Sequence, residues 1–189
     1  MRVISGSARG TNLIAPKGLA TRPTADRTKE ALFNILYNRI SGSRFLDLYS
    51  GTGAVGIEAL SRGAELAVFN DMSPSAVEII KKNLEKTRLA DRASIYKLKA
   101  ETLVARLGLQ KERFDIIFLD PPYSSGELAL ILTKILKSEI LSTGGLIIAE
   151  TAAGIDFSFP GFVAEERKYG SSKFVFLEEA IDINLSGQL

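Results

Sequence analysis

From residue 45 onward, short apolar runs of strand length alternate with longer segments whose apolar residues recur every three to four positions. Runs over 45–49, 66–69, 93–96, 114–119 and 146–149 read as strands. The segments between them read as helices. One leaves a glycine-rich loop and runs to about residue 62. The next starts at Ser73 as N-cap, with Pro74 at the first helical position and a stripe of Val77, Ile80 and Leu84. A short helix covers about 100–107. Another follows Gly126, with Leu128, Ile131, Leu132 and Ile135 on one face. Gly144-Gly145 is expected to turn the chain into the fifth strand. Strand–helix alternation predicts a mostly parallel sheet with helices on both faces. Two last strand-like runs, 162–165 and 174–178, are joined by Tyr169-Gly170-Ser171-Ser172-Lys173 and predict an antiparallel edge.

The first 44 residues break this rhythm. Two short strand-like runs, 2–5 and 12–15, flank the small residues 6–11, which predicts a β-hairpin extension within residues 1–20. It has too few apolar residues to build its own core. A linker over 17–24 leads to a helix expected over 24–40, with Thr24 as N-cap and Asp26 facing the positive helix end. Leu32, Ile35 and Leu36 form its stripe, widened by Phe33, Tyr37 and Ile40. Residues 1–189 are expected to form one domain with this hairpin appended.

Composition narrows the chemistry. The 189-residue chain has no cysteine and no histidine. That excludes thiol nucleophiles, thiolate metal sites, histidine triads and the commonest general base. The net charge of +2 permits a nucleic-acid partner without requiring one. No apolar run is long enough to span a bilayer, and the first residues lack a signal-peptide core, so a cytoplasmic protein is expected.

Gly51-Thr52-Gly53-Ala54-Val55-Gly56 is a G-x-G-x-x-G loop between a strand and a helix, and Asp71 follows about 20 residues later. Such glycines admit a ligand close to the backbone, and the acid can bond ribose hydroxyls. The loop alone also fits a nicotinamide dinucleotide. Asp47, inside the strand, tips the choice: a carboxylate at the loop mouth repels a pyrophosphate and attracts an ammonium. S-adenosylmethionine offers an ammonium, a ribose and an adenine. Its contacts are expected from Asp47, Ser50, Gly51, Thr52, Gly53, Asp71 and Met72, with the backbone N–H of Ala100 facing the adenine. The alternative for Asp47 is a strand-end carboxylate bonded to neighbouring amides.

Asp120-Pro121-Pro122-Tyr123 ends the fourth strand. Two prolines cannot continue a ladder, so the strand stops in a stiff extended corner. It carries a carboxylate and a phenol, which suit a planar ring bearing an amine. A turn with a packed tyrosine is the plainer reading of the same four residues. Asp120 and Pro121 would orient the amine, Pro122 would stiffen the corner and Tyr123 would stack on the ring.

Taken together, these residues resemble the RsmD family of 16S rRNA guanine-N2 methyltransferases. The likeness spans nearly the whole chain. It lies in Arg2-Val3-Ile4-Ser5-Gly6 with Arg9-Gly10 and Leu13, and in Arg22-Pro23-Thr24 with Asp26-Arg27, Glu30 and Leu32-Phe33-Asn34. It continues through Asp47 to Gly53, Gly56 to Ala64, Asp120 to Tyr123, and Tyr169-Gly170 with Lys173. Asp71 stands where relatives often carry glutamate, and Lys99 where a polar or acidic residue commonly faces the adenine. The resemblance implies a Rossmann-like methyltransferase sheet of seven strands with the last antiparallel. It implies methyl transfer from S-adenosylmethionine to the exocyclic amine of a guanine in 16S rRNA, within a small ribosomal subunit or an assembly intermediate. Arg2, Arg9, Arg22, Arg27 and Lys173 are candidate phosphate contacts, a solvated basic helix start being the plainer reading of Arg22 and Arg27; no metal is required, and a monomer is expected. The Asp-Pro-Pro-Tyr motif is also shared by DNA adenine-N6 methyltransferases. An NAD-binding oxidoreductase or a nucleotide-binding module is the third reading.

Overall fold

In a computed structural model, residues 1–16, 23–121, 125–154, 158–170 and 172–180 are described. The strands are β1 (Arg44–Asp47), β2 (Leu66–Asn70), β3 (Ala93–Tyr96), β4 (Phe114–Leu119), β5 (Leu141–Ala152), β6 (Phe162–Tyr169) and β7 (Ser172–Glu179). They form one sheet in the order β3-β2-β1-β4-β5-β7-β6. The first five run parallel, and β7 is antiparallel to both β5 and β6. The expected seven-stranded, mostly parallel sheet is therefore observed.

The helices are α1 (Pro23–Ile35), α2 (Tyr37–Ile40), α3 (Ala54–Ser61), α4 (Pro74–Thr87), α5 (Ala100–Leu109) and α6 (Ser125–Ser138). Strand side chains alternate between faces, so each central strand feeds two cores. Phe45, Ile116, Phe118 and Ile148 pack with Leu32, Phe33, Ile57, Leu60 and Ile80 on one face. Leu46, Ile117, Leu119 and Ile147 pack with Leu103, Val104, Leu128 and Leu132 on the other. Helices α1, α3 and α4 thus cover one face, and α5 and α6 cover the other. Among the described residues no helix is long and apolar enough to cross a membrane.

Strand order reverses between β1 and β4, the two neighbours whose chain continues to opposite sides of the sheet. A crevice opens at the carboxyl ends of strands at such a point. Asp47 ends β1, and Asp120 follows β4.

Several local expectations are corrected. The two arms of the N-terminal segment pair antiparallel through one β-bridge, Arg2 to Asn12, with the N–H groups of Val3, Gly10 and Leu13 donating to the carbonyls of Thr11, Val3 and Met1, so the hairpin is shorter than two full strands. Other amides of the segment go to the main domain. The N–H groups of Ile4 and Ser5 donate to Glu58, at 2.8 and 3.0 Å, and the Ile14 N–H donates to Asn83 Oδ1 at 2.7 Å. The helix expected over 24–40 begins at Pro23, so Thr24 lies in its first turn rather than at its cap. It breaks at Leu36 into α1 and α2. Ile35 and Tyr37 face solvent, Tyr37 at 77% exposure, while Leu32, Phe33, Leu36 and Ile40 are buried. Strand β5 is longer than expected, and Gly144-Gly145 falls inside it, where its register with β4 shifts between Phe114 and Ile116. Ser73 caps α4 as expected, accepting from Ala76 N–H.

Candidate active site

The glycine loop after β1 is built for close approach. Gly53 holds a left-handed conformation, φ 75°, at the cap of α3. That conformation is costly for residues with a Cβ. Gly56 lies against β2, where a Cβ would meet the Phe69 ring at 2.4 Å, so the helix seats directly on the sheet. The loop closes onto β2 through reciprocal bonds. Ser50 N–H donates to the Asn70 carbonyl at 2.9 Å, and Asn70 N–H donates to Ser50 Oγ at 3.0 Å. Gly51 N–H donates to Asp71 Oδ2 at 2.9 Å, and Ser73 N–H donates to Asp71 Oδ1 at 2.8 Å.

Asp47 is 1% exposed. Its Oδ2 accepts the Gly56 N–H at 3.1 Å, while the buried Oδ1 has no hydrogen-bond partner. The bond to a neighbouring amide is thus present at Oδ2, while Oδ1 is left open to a donor. Burial pushes its carboxyl up to about 7; the Gly56 N–H opposes the rise, and Asp120 and Asp71 add to it. An unpartnered buried acceptor is expensive, and a charged donor relieves that cost. An ammonium is such a donor.

Two lobes of one cleft meet at Tyr49, Gly51 and Asp120. One lobe, about 370 Å³, contains Asp47, Ser50, Thr52, Phe118, Glu150, Tyr169 and Phe174. The other, about 640 Å³, contains Asn70, Asp71, Met72, Lys99, Ala100 and Pro121. The fold thus gathers the expected cofactor residues at one place, with Gly53 behind them as the cap of α3. Ala100 is the first residue of α5, and no side chain caps that helix. Its backbone N–H is a first-turn donor facing the second lobe.

Asp120 is reached by solvent at the cleft, yet the concave wall strips most of the water from around it. That loss of solvent, with Glu150 adding, pushes its carboxyl up to about 7. Pro121 is buried beside it. Pro122 and Tyr123 lie outside the described residues, as does Arg22.

Arg2, Arg9 and Arg27 are exposed and line a third cavity, about 670 Å³, between the N-terminal segment and α1. Met1 lines both this cavity and the first lobe, so the basic rim adjoins the cleft. Lys173 is a correction. It is 1% exposed, and its ammonium is held by Glu166 at 2.5 Å. Its parity in β7 matches Val175 and Leu177, on the sheet face opposite Phe174. It is a buried ion-pair partner, not a phosphate contact.

The profile of the family described as Conserved hypothetical protein 95 matches residues 1–178. This chain belongs to that family, the RsmD family. YlbH of Bacillus subtilis (strain 168) is 43% identical over 150 residues, 79% of this chain and 82% of that protein. Ribosomal RNA small subunit methyltransferase D of Escherichia coli (strain K12) is 34% identical over 151 residues, 80% of this chain and 74% of that protein. The solved structure of yhhF from Escherichia coli matches with a TM-score of 0.83 at 32% identity, covering 95% of this chain and 98% of that one. On this chain, the RsmD-like motifs at Asp47–Gly53 and Asp120–Pro121 fall on the two walls of the cleft.

Three features escaped the reading of the sequence. Asn70 is buried and ties β2 to two other segments: its Nδ2 donates to the Leu48 and Leu98 carbonyls, each at 3.1 Å, and its Oδ1 accepts the Leu98 N–H. It fixes the loop bearing Lys99 and Ala100 against β1. A polar residue ending an apolar strand is the signal that marks it. Glu58, fully buried, holds Lys29 at 2.9 Å and Arg62 at 2.8 Å, as well as the N-terminal amides. Burial alone would raise its carboxyl, but Lys29, the Ile4 N–H and Arg62 outweigh it and hold the group below the usual range. Glu150, at the cleft from β5, repeats the pattern of Asp120: a carboxylate following a buried strand run.

Proposed function

We propose that this protein is an S-adenosylmethionine-dependent methyltransferase acting on the exocyclic N2 amine of a guanine in 16S rRNA. It would work as a monomer in the cytoplasm, on a small ribosomal subunit or an assembly intermediate. The observation that carries the reading is the unpartnered, buried Oδ1 of Asp47, set in a cleft continuous with Asp120. The names of the RsmD-family relatives supply the ribosomal RNA substrate.

When bound, S-adenosylmethionine supplies a methyl made electrophilic by its sulfonium. The chain's own residues bind and orient. Asp47 Oδ1 takes the ammonium. Asp71 keeps lone pairs for the ribose hydroxyls beyond those used on Gly51 and Ser73, since each carboxylate oxygen accepts more than one bond. The Ala100 N–H meets an adenine nitrogen. Asp120 accepts a hydrogen from the guanine amine, and the Pro121 carbonyl takes the other. Both bonds turn the nitrogen lone pair toward the methyl and support the positive charge that grows on it. Tyr123 stacks on the extruded base, worth about 1–3 kcal/mol. Arg2, Arg9 and Arg27 hold backbone phosphates beside the cleft, and Arg22 joins them in this reading.

Two measurements test it. Titration calorimetry is expected to show S-adenosylhomocysteine binding and no NADH binding; the reverse would favour an oxidoreductase. Tritiated methyl groups are expected to reach small subunits and not DNA. Label in DNA adenine would favour the DNA methyltransferase reading.

A further inference from the structure

The cleft holds a second carboxylate beside Asp120. Strands β4 and β5 run parallel with Phe118 opposite Ile148 and Leu119 opposite Ala149. One step further, the register brings Asp120 alongside Glu150. Parity sends both side chains to the face that carries Phe118, Ile148 and Phe174. Both line the 370 Å³ lobe, together with Tyr169 and Phe174, whose rings lie 5.6 Å apart. Glu150 is half-buried, and the Ser172 hydroxyl bonds its carboxylate.

Neither lysine nearby neutralises this pair. Lys29 lines the lobe, but its ammonium is bonded to Glu58 and to the Arg2 carbonyl at 2.7 Å. Lys173 lies on the opposite face with Glu166. Among the described residues, no group of three or more acidic side chains is placed to hold a metal ion. Two adjacent carboxylates facing an aromatic-walled cavity call for a flat ligand rich in N–H donors. The Watson–Crick edge of guanine has donors on two neighbouring atoms, N1–H and the N2 amine. The adenine edge pairs its amine with a bare N1, whose lone pair a carboxylate repels. An ionised carboxylate only accepts hydrogen bonds, so it reads this difference directly.

We propose that Glu150 is a specificity-determining residue of the acceptor pocket, its carboxylate accepting the N1–H of guanine while Asp120 holds the N2 amine. This rests on the guanine-N2 reading above. Burial raises both carboxyls, Glu150 adds to the rise at Asp120, and the Ser172 hydroxyl opposes it at Glu150.

The test uses 2-aminopurine, which keeps the amine but has no hydrogen on N1. Small subunits are reconstituted with 16S RNA carrying 2-aminopurine in place of the acceptor guanosine, and methyl transfer is compared with guanosine-containing subunits. The wild-type protein is expected to prefer guanosine by about 10–100-fold in kcat/KM, the worth of one bond to a charged acceptor. Glu150→Gln, whose amide can donate to the bare N1, is expected to cut that preference to about threefold or less, with S-adenosylhomocysteine affinity kept. An unchanged preference in a folded Glu150→Gln protein overturns the assignment and leaves the guanine-N2 reading intact. So does a wild-type preference below about threefold, which needs no variant to fold. Failure of the wild-type protein to form N2-methylguanosine in native subunits overturns both.

Discussion

Replacing Asp47 with asparagine is expected to make the protein more stable and a weaker cofactor binder. The carboxyl titrates near 7 in the fold against an ordinary value of 3.8, chiefly because it is buried. Between those values the folded chain holds a proton that the unfolded chain has released, so stability falls as pH rises through this window. Each unit of difference is worth 1.36 kcal/mol. The ionised group therefore costs roughly 4 kcal/mol near pH 7 and less than half of that near pH 5. Asparagine is close in shape, can still accept the Gly56 N–H, and carries no charge to desolvate. For a chain of this size, 1 kcal/mol moves the melting midpoint by about 2–4 °C. Thermal denaturation should show a gain of several degrees near pH 8 that shrinks toward pH 5. Calorimetry should show S-adenosylhomocysteine binding weakened about 10–100-fold, as one bond to a charged group is lost. A variant that is less stable near pH 8, or whose gain does not change with pH, would refute the burial argument. Unchanged affinity would refute the ammonium contact.

Asp120 also titrates near 7, so with saturating cofactor kcat/KM for RNA should rise with pH through that value; Asp120→Asn should lose this limb and about 10–100-fold in rate. Glu58→Ala leaves the buried Lys29 ammonium without its partner and should cost about 3–5 kcal/mol in urea unfolding. Because the Glu58 carboxyl is depressed, its stabilisation is present above its ordinary value of 4.5 and is lost as pH falls through its lower folded value. Arg9→Ala and Arg27→Ala should each reduce the salt slope of RNA affinity by about 1, read by binding across a salt series. Lys173→Met should leave that slope unchanged, since Lys173 is turned to Glu166.

The parallel sheet was legible because each of its strands is an apolar run and each crossover helix carries a stripe; two cores need both. The cleft was legible through Asp47, the glycines and Asp120, because they sit at strand ends where topology converges. What failed was anything decided by a distant partner. The segment over 2–15 does pair its arms, but the pairing stops at one bridge, and Glu58 and Asn83 take the amides of Ile4, Ser5 and Ile14. Ile35 and Tyr37 fit a helical stripe, yet the break at Leu36 turns them outward. Lys173 reads as a hairpin-tip cation, and only the pairing of β7 with β6 reveals Glu166 beneath it. Glu150 carried the same local signal as Asp120, without the prolines that draw attention to it. Its significance needed the register of β5 against β4.

The most direct measurement is nucleoside mass mapping of 16S RNA. Small subunits from cells lacking this protein are incubated with the purified protein and methyl-labelled S-adenosylmethionine. The account predicts label as N2-methylguanosine at a single position, abolished by Asp120→Ala. Label on adenine N6, or no label in RNA with intact cofactor binding, would contradict it.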